Sequence, residues 1–74
     1  MKKLLRSDGD LFAAAISQST VSVWQTDGKG KLVQVDRGII EEFSPKTVRM
    51  STVTDEIAFY FRDDGTMFYV EISF

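Results

Sequence analysis

Short segments in which apolar and polar side chains alternate run through most of this chain. In residues 47–53, Val48 and Met50 alternate with Arg49 and Ser51, which is the period of a β-strand with one buried face. Asp-Gly pairs and a Ser-Pro-Lys sequence separate the segments, and these residues are common in tight turns. The pattern therefore predicts an all-β fold of antiparallel strands joined in sequence by hairpins.

The last hairpin of this meander allows its register to be derived. An Asp64-Gly65 loop of two residues pairs Phe61 with Phe68. The same register pairs Phe59 with Val70, so that one face of the hairpin is wholly apolar. A shift of one residue would bring polar groups onto that face. We therefore expect Phe59 and Phe68 to be buried in the core.

The sequence around Asp27-Gly28 predicts a second hairpin with a longer loop. When Gln25 is paired with Lys31, the valines of the two flanking strands align and residues 26–30 form the loop. This register differs from that of the last hairpin because it needs five loop residues rather than two.

Residues 32–43 have the composition of one long strand. Gly38 lies in the interior of this strand, and an interior glycine often marks a bulge or a bend in a sheet. We expect the strand to bend at Gly38 and residues 47–53 to return antiparallel to it.

Residues 10–19 leave two interpretations open. A run of three alanines is suited to a helix, and Ser7 and Asp10 have the spacing of a capping box. As a strand, the segment would pair with Leu4-Leu5 through a hairpin at Asp8-Gly9. We favour the strand and keep one short N-terminal helix as the alternative.

About six short strands with apolar residues on both faces cannot lie in one flat sheet. We therefore expect a small antiparallel meander that closes into a barrel or roll, which also removes exposed strand edges. With 74 residues, the chain is expected to form a single small β domain, residues 1–74. A core of that size leaves little spare stability, so we also expect self-association into a homo-oligomer.

The composition removes most catalytic chemistry. The chain has no cysteine and no histidine, which excludes thiol nucleophiles, imidazole bases, zinc fingers and disulfides. Its acidic pairs lie mostly in or beside predicted turns, where aspartate makes local hydrogen bonds, and no segment matches a calcium-binding loop. The serines have no histidine partner. We therefore expect no enzyme, no cofactor and no metal site.

One face of the C-terminal hairpin is the strongest candidate for a binding site. In the predicted register, the face opposite the apolar one carries Tyr60, Arg62, Met67 and Tyr69. Tyrosine, methionine and arginine are enriched at protein interfaces. The alternative is structural, with these side chains facing another wall of the same barrel. We expect them to bind a protein partner, with a second copy of the chain as the leading candidate.

A nucleic-acid-binding small β-barrel is the alternative function. Bases stack on exposed aromatic rings while cations hold the phosphates, and both kinds of group are present in Trp24, Lys29, Lys31 and Arg49. The net charge of −2 neither favours nor excludes a polyanion. Residues 38–74 carry 3 basic and 7 acidic side chains, which would repel phosphates near the C-terminal hairpin. We therefore favour a protein partner.

The sequence contains no apolar run long enough to cross a membrane. Its longest, residues 11–16, is far shorter than about 20 residues, the length of a spanning helix. Met1-Lys2-Lys3 is positively charged, but Arg6 and Asp8 interrupt the apolar core that a secretory signal requires. We expect a cytoplasmic, non-enzymatic interaction module that binds a macromolecular partner through an aromatic face of its sheet.

Overall fold

The computed structural model describes residues 1–72 and contains six strands and one helix in that range. The elements are β1 (Lys2–Leu5), α1 (Asp8–Ile16), β2 (Val21–Thr26), β3 (Leu32–Phe43), β4 (Thr47–Thr52), β5 (Ile57–Phe61) and β6 (Thr66–Glu71). The strands form one antiparallel sheet in the order β1-β6-β2-β3-β4-β5. The expectation of a mostly-β fold with about six antiparallel strands is confirmed.

Helix α1 replaces the strand that we favoured for residues 10–19, so that prediction is wrong. The Asp10 N–H donates to Ser7 Oγ at 3.1 Å, and the Asp10 carboxylate accepts from the Ser7 N–H at 3.3 Å. This capping box satisfies N–H groups that the start of a helix leaves unpaired. Leu11 and Ala14 then bury one side of the helix in the core. Residues 8–16 therefore form a helix rather than a strand, because the start of the helix is capped and its apolar side is buried against the core.

The core lies between α1 and one face of the sheet. The fully buried side chains of the central strands include Val21, Val23, Val48 and Met50. We call this side of the sheet the inner face and the opposite side the outer face. Val48 and Met50 point inward, and the alternating residues of β4 point outward, as the pattern in residues 47–53 predicts.

The predicted C-terminal hairpin does not form. Strand β5 pairs with β4, whereas β6 lies between β1 and β2, so β5 and β6 are not neighbours in the sheet. Phe68 is 4% exposed, as predicted, but Phe59 is 67% exposed. The prediction that Phe59 is buried is therefore wrong. The register of β5 with β4 turns Ala58 and Tyr60 toward the inner face and Phe59 outward.

The short connection between β5 and β6 requires a strongly bent sheet. Five Cα steps lead from Phe61 to Thr66, and they span at most about 18 Å. In a flat sheet the Cα atoms of Phe61 and Thr66 would be separated by four strand spacings across the sheet and by about 11 residues along the strand direction. These two separations together place them about 40 Å apart. In residues 1–72 the sheet nevertheless stays open, with β1 and β5 as its edges. The expected closure into a barrel or roll is not confirmed.

The hairpin of β2 and β3 forms at the predicted turn but in a different register. Gln25 pairs with Val33, two residues beyond the predicted partner Lys31. Asp27 Oδ1 accepts from the N–H groups of Lys29 at 2.8 Å and of Lys31 at 2.9 Å. The predicted register is wrong because Lys31 belongs to the loop: its N–H donates to the Asp27 side chain, and its carbonyl oxygen accepts from the Asp27 N–H at 2.8 Å, so the loop is residues 27–31.

Strand β3 is continuous over 12 residues, as predicted, and β4 returns antiparallel to it. The pairing of β3 with β2 is irregular at the step from Val23 to Trp24 of β2, and its pairing with β4 is irregular between Ile40 and Glu42. Along β3, these two irregularities lie on either side of Gly38. Gly38 itself marks a close approach of two backbones. A Cβ added to it would lie 2.2 Å from the carbonyl oxygen of Ser51, so the pairing of β3 with β4 requires glycine there.

We predict that Phe68→Ala lowers the free energy of unfolding by about 3–5 kcal/mol, because it leaves a cavity in the core. Phe59→Ala removes an exposed ring and should change it by less than about 1 kcal/mol. Chemical denaturation at low protein concentration measures both values. Equal losses in the two variants would contradict the positions of these rings.

We predict that Gly38→Ala lowers the free energy of unfolding by at least about 2 kcal/mol, because β3 and β4 must separate to admit the methyl group. Gly28→Ala is the matched control, since nothing lies within 4 Å of its added Cβ. This control should be close to neutral. Thermal denaturation of the two variants side by side gives the comparison, and a stable Gly38→Ala protein would exclude the close approach.

Candidate interaction surface

The structure does not bring the four predicted interface residues together. Tyr60 points to the inner face from β5, and Arg62 follows the end of that strand. Met67 and Tyr69 lie on the outer face of β6, opposite Trp24 and Ser22 of β2. The predicted common face is therefore wrong, because it depended on a hairpin that does not form.

Tyr60 connects two distant parts of the bent sheet. Its hydroxyl donates to Asp36 Oδ2 at 2.5 Å, which joins β5 to β3 across the inner face. The pKa of Tyr60 is raised from 10.0 to about 12. Partial burial is the largest cause, and the hydrogen bond to Asp36 and the negative charge of that carboxylate add to it. The Tyr60 hydroxyl therefore already has a hydrogen-bond partner within the domain, and Tyr60 contributes to the fold rather than to an exposed binding surface.

Arg62 is likewise engaged within the chain. One nitrogen of its guanidinium donates to the Ser44 carbonyl oxygen at 2.7 Å, and another forms an ion pair with Asp8 at 2.8 Å. The group also lies 5.8 Å from the centre of the Phe43 ring. These contacts tie the end of β5 to the start of α1 and to the loop after β3.

An aromatic cluster covers the outer face of β2 and β6. The rings of Trp24 and Tyr69 meet edge to face with centroids 6.2 Å apart, and Lys2 Nζ lies 3.7 Å from the centroid of the Trp24 ring. The Trp24 Nε1–H donates to Ser22 Oγ at 2.9 Å. Met67 Sδ accepts from the Tyr69 hydroxyl at 3.8 Å. We define this aromatic cluster as Lys2, Trp24, Met67 and Tyr69.

An open groove of about 570 Å³ borders the aromatic cluster. Its lining includes Gln34, Glu71 and the N-terminal Met1. The Glu71 carboxylate forms an ion pair with Arg37 Nε at 3.0 Å, so its negative charge is already neutralised within the chain. With Lys2 placed over the Trp24 ring, the rings of the cluster contact each other and a cation of the same chain.

The residues of the nucleic-acid alternative are dispersed. Lys29 and Lys31 lie in the exposed loop between β2 and β3, whereas Trp24 belongs to the aromatic cluster. Arg49 lies on the outer face of β4 and forms ion pairs with Glu41 at 3.4 Å and Glu42 at 3.3 Å. No continuous basic track joins these groups among the described residues. This geometry does not favour a phosphate-binding surface.

The most exposed apolar surface of the sheet lies on β5. Ile57 is 54% exposed, Phe59 67% and Phe61 68%, and all three point to the outer face. We define these residues as the edge patch. The sequence shows their alternation, but the alternation does not reveal which set of side chains points outward. The wrong pairing partner for β5 therefore concealed this surface.

Comparison of the chain with protein-family models, curated proteins and solved structures finds no match. Among residues 1–72, no three His, Cys, Asp or Glu side chains gather where they would hold a metal ion. The helix in this part of the chain is too short to span a bilayer.

We predict that the ultraviolet absorbance of the two tyrosines shows one phenol ionising near pH 12, which is the pKa of Tyr60. Because this pKa lies above the ordinary value of 10.0, Tyr60 stabilises the fold fully below about pH 10. That contribution is lost as the pH rises toward about 12. Tyr60→Phe should remove the high-pH component of the titration, and Tyr69→Phe should leave it in place. The reverse result would contradict the hydrogen bond to Asp36.

Proposed function

We propose that this domain is a non-enzymatic protein-interaction module that binds its partner through the edge patch on β5. The observation that carries the proposal is the exposure of three large apolar side chains on one strand, each between 54% and 68%. A monomeric protein rarely leaves such side chains side by side in water, and contiguous apolar patches mark interaction sites. Phenylalanine is also enriched at protein interfaces.

The position of the edge patch supports this proposal. Arg49 lies opposite Phe59 and Thr47 opposite Phe61, so polar groups border the apolar surface on the side of β4. An apolar centre with a polar rim is the usual anatomy of a protein interface. Within residues 1–72 no strand pairs with the other side of β5, so a partner can approach from that side.

Met67 and Tyr69 keep a smaller part in the proposal. Both lie on the outer face, but they are half-buried within the aromatic cluster, where Tyr69 already contacts Trp24 and Lys2. A partner that contacts them gains less newly buried area than one that covers the edge patch. The edge patch is therefore the centre of the proposed interface.

Electrostatics near β5 supports a protein partner over a nucleic acid. Arg49 lies directly opposite Phe59 on the outer face, and two glutamates hold it in ion pairs. A phosphate backbone would have to displace these carboxylates before it gained a contact. An apolar protein surface needs no such exchange.

We predict that a photo-reactive phenylalanine analogue at position 59 forms covalent adducts with another polypeptide in the cells that make this protein. The edge patch should lie against its partner there, and the reactive group captures what it touches. Gel electrophoresis and mass spectrometry identify the adducts and distinguish a second copy of this chain from another protein.

Position 12 is the matched control for this experiment. Phe12 is 58% exposed on α1, so the same analogue there has similar access to solvent without lying on the sheet. Adducts at position 59 and only background at position 12 support the proposal. Equal labelling at both positions would refute it, and nuclease-sensitive adducts would favour the nucleic-acid alternative.

A further inference from the structure

The two edges of the sheet differ in how they resist pairing with other chains. Strand β1 is four residues long and carries Lys2 and Lys3, and edge lysines are a common protection against added strands. Strand β5 carries no charged residue between Ile57 and Phe61. Among residues 1–72, β5 is therefore the edge strand without a charged side chain to oppose an added strand.

The backbone of β5 presents its hydrogen-bonding groups in a regular order. The Arg62 N–H donates to the Lys46 carbonyl oxygen at 2.7 Å, and the Glu56 carbonyl oxygen accepts from the Thr52 N–H at 2.8 Å. In both bonds the residue next to β5, Glu56 or Arg62, is even-numbered and bonds toward β4. In an antiparallel sheet, the backbone N–H and C=O groups of alternate residues point toward opposite neighbouring strands. The N–H and C=O groups of Ile57, Phe59 and Phe61 therefore point away from β4, toward the open edge.

The sequence of β5 and its flanks is complementary to itself in the antiparallel direction. When Phe59 is placed opposite Phe59 of a second copy, Ile57 lies opposite Phe61 and Ala58 opposite Tyr60. The next pair outward is Glu56 with Arg62, which carry opposite charges. Each copy thus presents apolar groups to apolar groups, and no like charges meet at Glu56 and Arg62, where Arg62 keeps its ion pair with Asp8 of its own chain.

We propose that β5 pairs antiparallel with β5 of a second copy of this chain, across a twofold axis at Phe59. This inference rests on the proposed function and names its partner. In this arrangement Ile57, Phe59 and Phe61 of each copy supply the hydrogen-bonded positions, which gives about six hydrogen bonds between the strands. The two edge patches become one surface on the outer side of a continuous sheet.

The register at Phe59 also avoids a conflict that lies beyond the strand. Asp55 would meet Asp63 one position further out, but both residues lie outside β5, and Asp55 has a positive φ of 67°. The chain turns away from the strand direction there, so the like charges need not meet. The pairing is therefore confined to the five residues of β5 and the flanking Glu56 and Arg62.

We expect light scattering over a range of micromolar to millimolar concentrations to give twice the mass of one chain. Phe59→Lys places two ammonium groups opposite each other at the twofold axis and should raise the dimer Kd at least about 100-fold. Phe12→Lys is the matched control, because it makes the same change at an exposed phenylalanine of α1 and should leave the Kd unchanged.

The absence of cysteine from the chain allows the register to be tested directly. In the Phe59→Cys protein the two Cα atoms should lie about 5.5 Å apart, which permits a disulfide under mild oxidation. In the Ile57→Cys protein the two thiols lie about 13 Å apart along the strands and should not join. A mixture of Ile57→Cys and Phe61→Cys proteins should form the mixed disulfide.

Three results would overturn this inference: a monomer at every concentration, a Phe59→Lys protein that remains dimeric, or a disulfide of the Ile57→Cys protein with itself. A monomer whose position 59 is still captured by a different protein in cells refutes the β5 pairing and leaves the proposed function standing. A chain that is monomeric and gives no adduct at position 59 refutes both.

Discussion

The four-residue connection between β5 and β6 is the constraint on which the arrangement of the sheet depends. It joins an edge strand to a strand at the far side of β2, β3 and β4, and it can do so only if the sheet bends. The bend lets α1 cover the inner face and lets the Tyr60 hydroxyl reach Asp36. The close contact of Gly38 with the Ser51 carbonyl belongs to the same bent ladder.

The bend also determines which surfaces remain exposed. Because β6 takes its place between β1 and β2, its central residue Phe68 enters the core. Strand β5 has β4 on one side only, and within the described residues its outer side chains have no layer above them. The same three aliphatic and aromatic residues that would have filled a hairpin core therefore become the edge patch. A surface of this kind is costly in water, and a partner that covers it stabilises the folded state.

Charge and hydrogen bonding distinguish the proposed interface from the other polar and aromatic features of the domain. Arg62 and Tyr60 are satisfied by Asp8 and Asp36 of the same chain, and Lys2 is satisfied by the Trp24 ring. Within residues 1–72, no strand pairs with the backbone N–H and C=O groups on the open side of β5. A strand from outside satisfies those groups and brings its own side chains against Ile57, Phe59 and Phe61 at once, which a small ligand or a phosphate backbone does not do.

The sequence by itself determined the local features of this protein: the strand-rich composition, the alternation in β4, the single long β3 and the turns on either side of β3. It also contained the Ser7 and Asp10 capping box, although the pattern of residues 10–19 led us to favour a strand there. Only the tertiary structure decided the partners of β5 and β6. An apolar alternation such as that of β5 is compatible with β4 or β6 as a neighbour, and each choice sends Phe59 to a different environment. Strand partners are set by the bend and by long-range packing, and these depend on the whole chain at once.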